Sequence, residues 1–229
     1  MPTIIYWLLA TALFMLLHVS IMALCATMLG IGIRSLRYGI GPTLLTIDKV
    51  DIGLLPFAGN VVLKDTREQQ VFEDDPGRDF YNEQPLWKQI AVPASGVAVL
   101  LALTPGILGT QGVPGWQAFT SAFAQIFQGA LAPLGTAQQL LADGEVFARS
   151  HDFVAVFALV ALKLCALNLL PVGGMNGGQI MLALARGGKP YAPWEEKAAQ
   201  WLLLPGLAIV LSWLLALGWY CWTTLGAQS

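Results

Sequence analysis

One apolar stretch near the amino end of the chain carries a histidine in the spacing of a zinc-binding helix. The residues are His18-Val19-Ser20-Ile21-Met22. In an H-E-x-x-H helix, two histidines one turn apart hold zinc, and the glutamate between them is the general base. Here valine stands at the position of the base and methionine at the position of the second ligand. The spacing is that of hydrolytic zinc chemistry, but most of the groups that perform it are replaced.

A second segment, far downstream, combines polar amides with helix-breaking residues. It reads Asn168-Leu-Leu-Pro171-Val-Gly-Gly-Met-Asn176-Gly177-Gly178. Proline and repeated glycine do not fit a continuous helix, and broken backbone at membrane depth is tolerated only where protein or a polar cavity satisfies it. We therefore expect the chain to unwind near Pro171, and the break is a candidate site.

The two segments resemble the two signature motifs of the site-2 protease family of intramembrane zinc metalloproteases. Three further segments are similar to stretches of that family and occur in the same order. They are Tyr38-Gly-Ile-Gly-Pro42, Leu55-Pro56-Phe-Ala-Gly59, and the residues around Ser95-Gly96 in the apolar stretch at 90–108. The resemblance covers nearly the whole chain. It implies a helical core in the membrane, a membrane-associated β-hairpin from the first loop, and a third span that unwinds near Pro171. Many bacterial members insert a PDZ domain after the second span, but residues 109–150 are too few for one.

The resemblance also implies which groups are missing. The family's zinc has two histidines and a carboxylate as ligands, whereas this chain has His18, Met22 and Asn176 at those positions and Val19 at the base. Loss of a general base lowers a rate on the order of 100-fold or more. A neutral amide oxygen is a poor zinc ligand. We therefore predict a pseudoprotease with no catalytic residue, no bound zinc and no other cofactor; an active metalloprotease with unrecognised ligands is the alternative.

A softer metal site is a second possibility on the same helix. His18, Met22 and Cys25 are spaced i, i+4 and i+7 and therefore share one helix face. Imidazole, thioether and thiol together suit Cu(I) better than zinc. Methionine and cysteine in an apolar helix are more often packing residues, which is the competing interpretation.

Composition places the chain in a membrane. Hydrophobic residues make up 56% of it and charged residues 11%, against about a quarter charged in soluble domains. Apolar stretches at residues 4–33, 90–108, 153–184 and 198–225 are each compatible with a ~30 Å hydrocarbon core. We predict an α-helical polytopic membrane protein, a single domain over residues 1–229, with four spans of which the third is broken. No cleavable signal peptide is expected, because no cation precedes the first apolar run.

Positive charge predicts the orientation. Ten of the twelve lysines and arginines lie between Arg34 and Lys88 or between Arg186 and Lys197. Since cations are retained on the cytoplasmic side, both termini should face outward, as in a protein of a bacterial inner membrane. No basic cluster suggests nucleic acid.

The segments between spans have recognisable patterns. Residues 34–88 should form a cytoplasmic hairpin, with strands at 43–47 and 52–63 after a turn-rich entry at 37–42, and then a solvated acidic loop at 64–83. Residues 109–150 form the outer segment. Within it, Trp116 to Gly129 has aromatic residues at near-helical spacing, which predicts a helix that lies at the interface or packs on the bundle.

Lys163 is a cation inside the third apolar stretch, where insertion costs about 3 kcal/mol. It either extends its amine to a polar region or pairs with an intramembrane Asp or Glu of a partner, since no acid of this chain lies in a predicted span. We therefore consider three classes of function: a non-catalytic scaffold for a partner's membrane segment, an unusual protease, and a proton or ion pathway that uses His18 and Lys163.

Overall fold

The computed structural model describes residues 2–66, 79–189 and 192–226. The chain forms a mostly helical bundle with one two-stranded antiparallel sheet. Its elements are α1 (Pro2–Met28), β1 (Ile33–Ile47), β2 (Val50–Leu63), α2 (Leu86–Thr110), α3 (Gly115–Leu131), α4 (Thr136–Ser150), α5 (Phe153–Asn168), α6 (Asn176–Arg186) and α7 (Trp194–Gly226).

Three helices in the described part of the chain are long and apolar enough to cross a membrane. They are Ile4–Met28, Leu86–Thr110 and Trp194–Thr224, of 25, 25 and 31 residues. At about 1.5 Å per residue, each exceeds a ~30 Å hydrocarbon core. Much of their surface is apolar and exposed, as a surface that faces lipid must be.

The predicted span at residues 153–184 is not one helix of spanning length. α5 has 16 residues and ends at Asn168, and α6 has 11 residues and begins at Asn176. Asp152 caps the start of α5 by accepting a hydrogen bond from the backbone N–H of Ala155. The described residues therefore contain three helices of spanning length and this shorter pair, where the sequence predicted four spans.

The hairpin is longer than the sequence pattern predicts. β1 and β2 pair from Ile33↔Leu63 to Ile47↔Val50 with several register shifts. The segment predicted as a turn-rich entry, residues 37–42, is part of β1. Gly39 and Gly41 have φ of 88° and 86°, so they bend the strand and shift its register without ending it.

The acidic loop after the hairpin is only partly as expected. Its central residues, 67–78, lie outside the described residues. In the flanking segments, Asp65, Asn82 and Gln84 are buried, whereas Glu83 is exposed. Asn82 donates from Nδ2 to Thr66 Oγ1 at 2.5 Å, which joins the two ends of the loop. Polar composition predicted exposure, but these polar groups are buried with partners.

The segment at residues 109–150 contains two helices. The predicted aromatic helix is α3, and it packs on α5 and α7. Phe119 and Phe123 lie in its contacts with the bundle, which favours packing over a free interfacial position. The second helix, α4, was not predicted, because its mixed alanine, glutamine and acidic sequence is far less hydrophobic overall than the other helices. It packs across the ends of α1 and α7.

Two pairs of helix ends meet in the bundle. The end of α1 meets the start of α2 where Lys88 Nζ donates to Leu29 O at 2.8 Å. The end of α6 meets the start of α7 where Arg186 pairs with Glu195 at 2.6 Å. Lys88 and Arg186 therefore both lie at the start of α2, where Arg186 also donates to Gln89 Oε1.

Candidate functional site

His18 lies inside the bundle, in the middle of α1. Its side chain is 4% exposed. The imidazole stacks on Phe14, one turn earlier, with ring centroids 5.3 Å apart and planes 9° apart. Because α1 is apolar all round, nothing on this helix satisfies the ring nitrogens, and they must find partners on other elements.

The partner of His18 comes from the break in the third apolar stretch. Asn176 is the first residue of α6, and its Nδ2 donates to His18 Nε2 at 2.9 Å. The same amide nitrogen lies 3.6 Å from Met22 Sδ. The structure therefore brings together three of the predicted site residues, 158 positions apart at the extremes. The histidine is therefore bonded to the side chain of the residue at which α6 begins.

Val19 occupies the place of the general base and packs against the hairpin. It is 1% exposed. A Cβ built on Gly59 of β2 would lie 2.9 Å from Val19 Cγ2, so the strand passes directly over this side chain. A longer, charged residue here would meet protein and not water. The position is a packing contact between α1 and the hairpin.

The other nitrogen of His18 faces α2. Because Nε2 accepts from the amide, the neutral ring carries its proton on Nδ1. This nitrogen is buried and has no hydrogen-bond partner among the described residues. A Cβ on Gly96 would lie 2.3 Å from it, so α2 approaches the ring closely because residue 96 is glycine. The imidazole is thus held between α2, α6 and Phe14.

The break between α5 and α6 is compact. A Cβ on Gly177 would lie 2.2 Å from Leu169 O, and one on Gly178 would lie 2.2 Å from Val172 O. Only glycine allows these backbone approaches. Gly173 N donates to Leu202 O of α7 at 2.7 Å, which fixes the loop to the last helix. Pro171 lies in this loop, as predicted.

Asn168 and Cys25 point to other contacts. Asn168 Nδ2 donates to Leu164 O of its own helix at 2.9 Å. Cys25 Sγ lies 3.9 Å from Ala91 O of α2, and the residue packs in a cluster with Ala26, Ile31 and Val92. The thiol is therefore directed at α2, whereas Met22 is directed at Asn176. His18, Met22 and Cys25, the three residues of the possible copper site, share one helix face, but Cys25 contacts a different element from the other two.

Lys163 has partners within its own chain. Its Nζ donates to Ala118 O at 3.0 Å and to Gln125 Oε1 at 2.5 Å, both on α3. Its contacts are with α3, whereas those of His18 are with α6 and α2. The described residues thus show no hydrogen bond that links the two, which a proton pathway using both would need.

Sequence reasoning missed a buried ion-pair cluster near the start of α7. Arg186 pairs with Glu195, and the two side chains are 8% and 5% exposed. Arg186 also donates to Gln89 Oε1, and Gln89 Nε2 donates to Gln84 O at 2.6 Å. The cluster connects α6, α7, α2 and the end of the acidic loop. The signal in the sequence was weak, because each residue lies at the polar edge of an apolar helix.

The donor set at His18 does not fit the zinc of a metalloprotease. That ion takes nitrogen, thiolate and carboxylate ligands, with one open position for water. Here one imidazole nitrogen already accepts a hydrogen bond from an amide, the second donor is a thioether, and no carboxylate is present. No hydrolytic step follows from this arrangement.

Three helices of spanning length, a hairpin packed against the first of them, and a glycine-rich break that faces His18 fit an integral membrane protein of the class that the sequence motifs resemble. A family model confirms that class. The model described as "Peptidase family M50", the site-2 protease family, matches residues 6–213, and the chain belongs to that family. Comparison with curated protein sequences finds no match.

Proposed function

We propose that this protein is a non-catalytic member of the site-2 protease family that holds a membrane segment of a partner protein without cutting it. The observation that carries the proposal is the hydrogen bond from Asn176 to His18. In the family arrangement these two positions are ligands of the same zinc. Here they bond each other.

The packing around Val19 and Met22 supports the same proposal. Hydrolysis needs a base that touches a water molecule beside the scissile bond. Val19 has no acceptor and is covered by the hairpin, and Met22 is buried against the amide of Asn176. Four positions that would act together in a protease are instead packing and hydrogen-bonding positions.

The hairpin and α1 provide a surface for a partner. A cavity of about 310 Å³ lies between them, with walls that include Leu9, Leu13, Leu16, Tyr38 and Pro56. Ser20 and Tyr38 share a hydrogen bond of 2.8 Å that holds the hairpin to α1 at this cavity. An extended segment can add to an exposed strand edge through backbone hydrogen bonds while its side chains fill an apolar groove.

We further propose that α5 and α6 together form a third, broken crossing, so that the chain crosses four times with both termini outward. The lysines and arginines at residues 34–88 and 186–197 then lie on the cytoplasmic side of a bacterial inner membrane. His18 and Asn176 lie within the membrane in this arrangement.

Metal analysis of the purified full-length protein tests the loss of zinc binding. The unmodified chain is expected to carry far less than one zinc per chain. Restoring the ligands with Met22→His and Asn176→Asp is expected to give about one zinc per chain, lost again when His18→Ala is added. The matched control is Met28→His with Asn168→Asp, which makes the same substitutions away from His18. One zinc per unmodified chain, lost on His18→Ala, would refute the proposal in favour of an active enzyme.

A crosslinking experiment in native membranes tests the partner. A photo-crosslinking residue at Leu13, in the groove beside the hairpin, is expected to capture a membrane protein at one defined mass. The same residue at Leu204, on the exposed face of α7, is the control. Equal capture at both positions would contradict a specific groove.

A further inference from the structure

A second and larger cavity lies in another part of the bundle. Its volume is about 600 Å³. Five helices surround it in a ring, in which α1 contacts α5, α5 contacts α3, α3 contacts α7, α7 contacts α4, and α4 contacts α1. The wall is mainly apolar and includes Ile126, Leu159, Leu167, Val210 and Leu214. His18 is not part of it, so the cavity is separate from the degenerate metal site.

Lys163 brings a positive charge to this apolar wall. Its half-buried ammonium group has three N–H donors. Two of them are directed at Ala118 O and Gln125 Oε1, which are neutral acceptors on α3. Asp143 of α4 also borders the cavity, but within the described part of the chain Lys163 has hydrogen bonds with Ala118 and Gln125 alone. One donor and a whole positive charge are therefore available to a molecule inside the cavity.

We propose that this cavity binds one long-chain fatty acid, with its carboxylate on Lys163 and its alkyl chain along the apolar wall. A charge in a medium of low dielectric constant is strongly favoured by an opposite charge beside it. The apolar wall supplies the second half of the recognition, because it removes the alkyl chain from water or from the surrounding lipid.

The size of the cavity favours a single alkyl chain over a partner's transmembrane helix. Ligand pockets for one small molecule have volumes of about 300–1,000 Å³, and this cavity lies within that range. A partner's transmembrane helix is about 10–12 Å across and would have to displace helices of the ring to bring an acidic side chain to Lys163. A flexible alkyl chain needs no such displacement.

Binding of palmitate to the purified full-length protein tests the inference. We expect saturable binding of one palmitate per chain, measured by native mass spectrometry and by equilibrium binding in detergent. Hexadecanol has the same chain length and a neutral head group. Its affinity should be lower than that of palmitate by about tenfold or more, because a charge-assisted hydrogen bond is lost. Equal binding of the acid and the alcohol would overturn the inference without any substitution of the protein.

Variants of Lys163 then locate the carboxylate. Lys163→Met should weaken palmitate binding about tenfold or more and make it equal to that of hexadecanol, whereas Lys163→Arg should retain the preference for the acid. Gln125→Leu frees a second N–H donor of the ammonium group and should strengthen the preference for the acid; it serves as the test if Lys163→Met fails to fold, and a lost preference would contradict the inference. Lys189→Met removes an exposed lysine and should change nothing. Unchanged palmitate binding in Lys163→Met, together with loss of a copurifying membrane protein, would overturn the fatty acid and assign the lysine to a partner's acidic residue.

Discussion

The contact between α2 and the His18 ring predicts that Gly96→Ala destabilises the protein. The new methyl group would lie 2.3 Å from His18 Nδ1, 2.8 Å from its Cε1 and 2.9 Å from its backbone oxygen. The ring cannot swing aside easily, because Asn176 holds Nε2 and Phe14 covers one face. Overpacking of this kind lowers the free energy of unfolding by about 1–3 kcal/mol.

Gly106→Ala in the same helix is the matched control. A Cβ at Gly106 meets no atom within 4 Å. Both substitutions gain about 0.5–1 kcal/mol from the helix preference of alanine over glycine, so the difference between the two variants isolates the overpacking. At roughly 2–4 °C per kcal/mol for a chain of this length, Gly96→Ala should melt several degrees below Gly106→Ala in detergent.

A double substitution checks the cause. Adding His18→Ala removes the imidazole and two of the three close approaches, so Gly96→Ala should be destabilising by less in that background than in the unmodified chain. The two substitutions should therefore couple. If Gly96→Ala and Gly106→Ala melt together, or if His18→Ala leaves the loss unchanged, the packing argument for His18 is refuted.

Two further predictions concern the buried Arg186–Glu195 pair and the orientation of the chain in the membrane. Arg186→Met leaves Glu195 buried without its partner and should lower the free energy of unfolding by about 3–5 kcal/mol. The control is Arg149→Met, which should change the free energy of unfolding by less than about 1 kcal/mol, because the Arg149 side chain is 64% exposed. Similar melting temperatures of the two variants would contradict the buried pair. Gln70→Cys, in the segment outside the described residues, should be labelled by an impermeant thiol reagent only from the cytoplasmic side, and labelling from the outside would refute the orientation.

The sequence predicted the helices that depend on long apolar runs. α1, α2 and α7 lie within a few residues of the predicted spans, because a run that must satisfy its backbone inside lipid has no alternative to a helix. The break after Asn168 was also predictable, since Pro171 and the glycines around it act locally. Family membership was predictable from the order of the motifs and is confirmed by the match to residues 6–213.

Local patterns failed where non-local contacts decide the structure. Residues 37–42 resemble a turn in isolation, but pairing with β2 makes them strand. Asp65, Asn82 and Gln84 have the composition of a solvated loop, but the folded chain buries them. Helix α4 has a low overall hydrophobicity, and its contacts with α1 and α7 hold it on the bundle.

For the candidate site, the sequence by itself determined which chemical groups are present: one imidazole, a thioether, an amide and no carboxylate at the motif positions. Only the tertiary structure decided what those groups do, because residues 158 positions apart meet where α1 and α6 both pack on α2. It also decided that Val19 faces the hairpin and that Lys163 faces a cavity. The identity of a side chain is local, whereas its partner depends on helices that are distant in sequence and adjacent in space.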